Sequence, residues 1–315
     1  MYRSSGTFDE QPSGEWPDVS ATADPEVLKT GISWFTRLAA PVISLTILGV
    51  AVAQLSHFNL SGIRAVVPTN PGFWLLFAVS YFAPPLADWI IFRRLWTIPA
   101  AGFAALVRKL IGNELLLGYV GELYFYSWAR KRTAMTGAPF GAVKDVAILS
   151  AVVGNCVTLA MLAVAYPLLG MLDLGVERRT FALSVAVVLV TSLIVMFFRG
   201  RLFSLPKADL RFVIGVHFAR IAATTLLAAW MWHVALPAVS ASIWLLLATL
   251  RLLLSRLPLI PNKDVVFAGI AVLVVGQDQQ VVELMALMAG LIFATHLVLG
   301  TLLAVAEIAG WKRLA

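Results

Sequence analysis

Cysteine occurs once in this 315-residue chain, at Cys156 inside an apolar run. One thiol excludes an intrachain disulfide and any cysteine-rich metal site. Charge is scarce as well. Asp, Glu, Lys and Arg make up 13% of the residues against 60% hydrophobic ones, and the mean hydropathy is +0.87. A water-soluble domain carries about a quarter of its residues charged, so that class is excluded and the chain reads as a polytopic membrane protein. Also missing are the phosphate-binding patterns GxxxxGK[ST] and GxGxxG, the nucleophile pattern GxSxG, the zinc pattern HExxH and any DxD. No metal or cofactor is expected. His217, His233 and His296 lack the spacing of metal ligands and read as packing groups.

What charge there is lies unevenly. Residues 1–36 hold six acids (Asp9, Glu10, Glu15, Asp18, Asp24, Glu26) and two bases (Arg3, Lys29), with Pro, Ser and Gly between them. They read as a disordered acidic tail that is retained, since no signal-peptide pattern precedes them and position 2 is Tyr. Removing the tail's net −4 from the whole-chain +7 leaves +11 on residues 37–315, the polytopic helical membrane domain. That positive balance follows from membrane topology and implies no nucleic-acid partner.

Apolar stretches long enough to cross about 30 Å of hydrocarbon fall near 38–56, 72–92, 145–170, 180–198, 212–236, 239–256 and 281–306, with 264–276 a shorter eighth. Bases cluster at Arg93/Arg94, Arg108/Lys109, Arg130 to Arg132, Arg199 to Arg211, Arg251/Arg256/Lys263 and Lys312/Arg313. Because bases favour the cytoplasmic side, the threading has about eight crossings with both termini in the cytoplasm. The fold class is therefore all-α integral membrane protein.

That threading puts both ends of 109–132 on the cytoplasmic side. The segment, KLIGNELLLGYVGELYFYSWARKR, must then enter and return as a re-entrant hairpin, with Gly118-Tyr119-Val120-Gly121 as its turn. Glu114 and Glu122 inside it would cost about 2.5–3.5 kcal/mol each facing lipid at the bilayer centre. They are tolerated only buried in protein or lining a wet cavity. LIGNE at 110–114 is echoed by LIPNK at 259–263, the second before a short apolar segment. Interrupted helices in comparable places of two halves mark transporter binding sites, so a second broken hairpin and an internal repeat are expected.

The candidate site residues follow from these breaks. Glu122 can bind a cationic headgroup, carry a proton or pair with a phosphate-binding arginine, or else only anchor the hairpin. Glu114 has the same choices, with Arg108 and Lys109 as structural partners. Arg220 shares a helix stripe with His217 and Thr224 and either clamps a phosphate or snorkels to the interface. Arg256, Asn262, Lys263 and Asp264, around Pro258 and Pro261, form the other wall of a headgroup site or an ordinary basic loop. Asp88 is expected to pair with Arg93 or Arg94, and Asn155 and Thr158 to bond neighbouring helices. Trp74, Trp89, Trp96, Trp128 and Trp311 read as an interfacial belt.

Asn113, Gly118, Gly121 and Glu122, set between basic clusters, resemble the asparagine and glycine-glutamate signature of the lysylphosphatidylglycerol synthase transmembrane-domain family. RLPLIPNKDVVFAG at 256–269 is similar to that family's second, proline-containing hallmark. The resemblance covers roughly 37–310 and implies about eight crossings and flippase activity on a phospholipid. Gly118 stands where the family has proline, and Asn262, Lys263 and Asp264 stand where it has a glycine-rich turn with a carboxylate. No aminoacyl-transferring domain accompanies the membrane part. The expectation is a flippase-like transporter of a lipid or lipid-linked headgroup in the cytoplasmic membrane, its partner an anionic or headgroup-modified phospholipid or a lipid-linked sugar. The alternatives are a membrane-embedded lipid-phosphate transferase or hydrolase, with Glu122 or Asp264 as base, and a non-transporting partner of an envelope glycan-synthesis complex. A second copy of the chain or an envelope-synthesis protein are the protein partners that fit.

Overall fold

A computed structural model describes residues 67–115, 120–132, 139–171, 177–198, 203–256, 263–275 and 279–311. The acidic tail, the 38–56 stretch, Gly118, Asn262 and the prolines Pro258 and Pro261 lie outside the described residues. Those residues form nine α-helices and one 3-10 turn and contain no strand.

The first helix, α1 (Pro71–Trp96), starts where the sequence dictates: Asn70 Oδ1 accepts the Gly72 N–H at 2.8 Å, and Pro71 occupies the first helical position, where its missing N–H loses nothing. It stops at Thr97, whose left-handed φ of 51° lets its N–H close on the Arg93 carbonyl. Two short helices follow, α2 (Ala101–Leu115) and α3 (Val120–Arg132). Next come α4 (Pro139–Ala165) with the 3-10 turn Tyr166–Met171, α5 (Arg178–Phe198) and α6 (Lys207–Ala235). A second short pair, α7 (Ala241–Leu254) and α8 (Lys263–Val275), precedes α9 (Gln279–Trp311).

Among the described residues four helices, within α1, α4, α6 and α9, are long and apolar enough to cross a membrane. Their outward residues are apolar, with Leu226 70% and Trp230 60% exposed, as a lipid-facing surface requires. The short helices differ. At 1.5 Å per residue α2, α3, α7 and α8 span roughly 20–22 Å, less than the 30 Å of hydrocarbon. The stretches 239–256 and 264–276, expected as two crossings, form helices of 14 and 13 residues, each shorter than that thickness.

Antiparallel packing of α1 on α6 fixes the bundle's two ends. Arg94 meets Asp209 at 3.1 Å at one end, and Phe73 shares a core with Trp232 at the other. Since α2 begins beside Trp96 and α7 begins just past Ala235, the two short pairs enter the bundle from opposite ends. Each organises its own apolar core. Ile91, Phe92, Leu106, Phe125 and Trp128 pack around α2 and α3, with Phe92 and Phe125 ring centroids 4.6 Å apart. Trp232, Trp244, Leu247, Phe267 and Met285 pack around α7 and α8. Trp128, expected in an interfacial belt, is instead 7% exposed in the first of these cores. Between the cores lies a polar layer.

Candidate substrate cavity

The α2/α3 pair is locked before it positions anything else. Its helices approach so closely at Gly121 that a Cβ there would run into the Lys109 carbonyl oxygen and come within 2.7 Å of Asn113 Oδ1. That oxygen accepts the Gly121 N–H at 2.8 Å, and Asn113 Nδ2 donates to Glu122 Oε1 at 3.1 Å. Lys109 Nζ completes the network, donating to Asp88 Oδ2 at 2.6 Å and lying 3.5 Å from Glu122 Oε1. One buried ammonium thus ties α1, α2 and α3 together.

This changes several sequence-based pairings. Asp88 pairs with Lys109, not with Arg93 or Arg94, because all three groups of the network sit inside the helix packing while both arginines are exposed. Arg108 donates to Tyr124 Oη and to the Leu303 carbonyl, so neither base expected beside Glu114 binds it. Asn155 does bridge helices, to Ser192 Oγ of α5 at 3.0 Å, whereas Thr158 bonds back to the Gly154 carbonyl of its own turn. Glu122 borders an apolar groove of about 320 Å³ between α3 and α4, with Leu123, Tyr126, Phe140 and Lys144.

Glu114 faces the bundle's middle. At the end of α2 it meets Asp264 at the start of α8 and Arg251, Ser255 and Arg256 at the end of α7. The free ends of both short pairs therefore converge on one cavity, which has two lobes sharing Pro84, Glu114, Ala228, Arg251 and Asp264. One lobe, of about 130 Å³, is lined by Phe77, Tyr81, Met231, Trp232, Phe267 and Met288. The other, of about 160 Å³, is lined by Arg220, Thr224, Thr225, Ser255, Arg256 and Lys263. Counting the shared groups, four cations stand against two carboxylates around the second lobe.

Each of the four cations is held in place. Arg251 Nε donates to Asp264 Oδ1 at 2.7 Å, and Lys263 Nζ to the Ser255 carbonyl at 3.1 Å. Arg220 Nη2 donates to Ser150 Oγ at 2.9 Å. It lies almost four turns past Lys207, roughly 20 Å along the helix axis, beyond the reach of snorkelling. Arg256 places Nε and Nη2 on Ser255 Oγ at 3.0 and 2.7 Å and lays its guanidinium over Gly154, where a Cβ would strike Nη1. Gly154→Ala should therefore displace Arg256 without unfolding the protein. Clash against a mobile side chain and the helix propensity gained, each about 1 kcal/mol, nearly cancel. The expected result is a melting midpoint that corresponds to a stability within about 1 kcal/mol of wild type in the same detergent.

Other residues of the cavity carried weaker signals. Prolines 84 and 85 leave the carbonyls of Ser80 and Tyr81 without their helical donors, and Ser80 and Tyr81 line the first lobe. Tyr81 Oη and His296 Nδ1 lie 2.7 Å apart, and His217 Nε2 donates to the Val146 carbonyl at 3.2 Å. Both imidazoles are tied into the packing. The prolines were a legible cue to a break; nothing in the order of residues joins Tyr81 to His296. Asp145, fully buried, accepts the Ser204 and Leu205 N–H groups and so fixes the approach to α6. Among the described residues no three His, Cys, Asp or Glu side chains gather to hold a metal. No protein-family model, curated protein or solved structure matches the chain.

Proposed function

We propose that the chain is a flippase-like transporter that moves an anionic lipid or lipid-linked headgroup across the cytoplasmic membrane. The observation that carries this reading is the two-lobed cavity at the meeting point of the short helix pairs, cationic on one side and apolar on the other. A phosphate matches the second, cationic lobe, because the Arg220 and Arg256 guanidiniums present charged N–H donors to its oxygens. Methionine and aromatic side chains suit the glycerol end and first methylenes of an acyl chain.

In the membrane, α1, α4, α5, α6 and α9 would be crossings, and the short pairs two re-entrant hairpins from opposite faces. Such an inverted pair, its ends meeting near the midplane, is how repeat-built transporters assemble a substrate site. Arg93, Arg94, Arg130, Lys207 and Arg211 share one end of the bundle, which supports a cytoplasmic position for that end. The resemblance to the lysylphosphatidylglycerol synthase transmembrane domain supports the same activity. Here the residues doing the binding would be Glu114, Arg220, Arg251, Arg256 and Asp264, with Asn113, Gly121 and Glu122 holding the hairpin that carries Glu114.

The lobes lower the barrier in a simple way. A bare phosphate in hydrocarbon loses its hydration with nothing in exchange. Four fixed cations and several hydroxyls replace those contacts at mid-depth. Vesicles containing the purified chain and a trace of phosphatidylglycerol labelled on its acyl chain report flipping as label becomes accessible to a membrane-impermeant quencher. Protein-dependent flipping is expected, slowed at least about tenfold in Arg220→Gln/Arg256→Gln and unchanged in Arg94→Gln, whose partner Asp209 lies at the bundle's exposed end. Flipping by the double variant at the wild-type rate would remove the cavity from the mechanism.

A further inference from the structure

With an anionic headgroup proposed on Arg220 and Arg256, the part that the carboxylate of Glu114 plays in binding is a separate question. Its surroundings are specific. Facing it are Asp264 and Lys263 from α8, Arg251, Ser255 and Arg256 from α7, Arg220 from α6, Tyr81 from α1 and His296 from α9. Asp264 is committed to Arg251 at 2.7 Å and Lys263 to the Ser255 carbonyl at 3.1 Å, and Tyr81 holds His296 at 2.7 Å. Glu114 makes no hydrogen bond or ion pair among the described residues. It is therefore a carboxylate at the junction of two lobes, beside a second carboxylate whose cation is already engaged.

Two neighbouring carboxylates repel, and a proton on one removes that repulsion. An anion arriving between Arg220 and Arg256 adds a third negative charge to the same space. Protonating Glu114 leaves four cations facing one carboxylate, so the proton and the anion each make room for the other. Linkage of this kind is reciprocal.

We propose that Glu114 takes up one proton whenever an anionic headgroup enters the cavity, so that proton and lipid travel together. The carboxylate gains a proton from the aqueous face where the headgroup loads and returns it to the face where the headgroup leaves. No bond of the lipid is made or broken. For transport this rests on the lipid-flipping reading; for binding it does not, and the experiment separates the two.

In the binding arm the purified full chain in detergent is titrated calorimetrically with dodecyl methyl phosphate, a phosphodiester whose single negative charge does not titrate near neutrality. Titration in buffers of different ionisation enthalpy counts the protons exchanged. Wild type should take up close to one proton per bound anion at intermediate pH and bind about tenfold more tightly at about pH 5.5 than at about pH 8. Glu114→Gln should show no uptake and a flat profile, and Glu114→Asp should restore both. Binding by wild type without proton uptake overturns the proposal and leaves lipid transport standing; no binding at all overturns both.

In the transport arm, vesicles flipping labelled phosphatidylglycerol are given a pH gradient. Wild type should flip several-fold faster toward the alkaline side, and the ratio with and without gradient should fall to one in Glu114→Gln whatever its absolute rate. Wild-type flipping indifferent to the gradient overturns coupling alone. If nothing flips, the transport reading fails and the calorimetry still decides the proton. Should Glu114→Gln fail to fold, the wild-type results together with Glu114→Asp decide it.

Discussion

Gly121→Ala is expected to prevent the α2/α3 hairpin from closing, with a loss of at least about 3 kcal/mol, the upper part of the range for inserting atoms into a packed interior. The reason is that the obstacle is backbone. The new Cβ meets the Lys109 carbonyl oxygen, which is held in the hydrogen-bonding ladder of α2 and cannot rotate away as a side chain can. Spreading the helices also pulls the Gly121 N–H off Asn113, at 2.8 Å in the native hairpin, and carries Glu122 away from Lys109. Gly112 supplies the control. A Cβ there would sit 3.5 Å from the Gly121 Cα, an ordinary contact, so Gly112→Ala should be neutral or stabilising by up to about 1 kcal/mol through helix propensity. Thermal melts of the two variants in one detergent test the contrast directly. Equal midpoints would mean that α2 and α3 do not approach each other as closely as described.

How much of this was readable beforehand depends on the range of the interaction. The long helices were legible because their apolar runs are local: 72–92 became Pro71–Trp96 and 212–236 became Lys207–Ala235. The hairpin at 109–132 was legible for a different reason, since two carboxylates and three glycines in an apolar segment conflict with a simple crossing. The second hairpin was half seen. Its prolines and LIPNK marked a break, but the mostly apolar 14-residue Ala241–Leu254 looks like most of a crossing until α7 and α8 are seen to share one core.

Pairings between distant residues were not legible. Lys109 lies close in sequence to Arg108 and Glu114, yet its partner Asp88 is on another helix, reached because α1 and α2 pack side by side. The roles of the two glutamates divide for the same reason. Seven residues lie between them, and because Glu114 closes α2 while Glu122 opens α3, Glu122 lies beside Lys109 and Glu114 lines the cavity with Arg251 and Asp264.

Lys109→Met should be the most destabilising single side-chain change in the polar layer. The ammonium is 2.6 Å from Asp88 and 3.5 Å from Glu122, with all three side chains less than a fifth exposed, so its loss strands two carboxylates away from water. Breaking a buried pair from one side costs about 3–5 kcal/mol. Removing the charges together costs much less, because neutral Asn and Gln can keep hydrogen bonds that need no counter-ion. Lys109→Met/Asp88→Asn/Glu122→Gln should therefore recover most of the stability lost in the single variant, a non-additivity that chemical denaturation in detergent would read as a coupling energy. If the proposed transport holds, the single variant should also flip lipid poorly beyond its loss of fold, since Arg220 is within electrostatic reach of Asp88 and is drawn to it once Lys109 is gone. Drawn toward Asp88, the guanidinium leaves the lobe proposed to bind the headgroup phosphate. In the triple variant Asp88 no longer attracts it, so flipping should return along with stability. A stable triple variant that still fails to flip would separate the α1–α2–α3 clamp from the cavity and show that Lys109 acts on transport by another route.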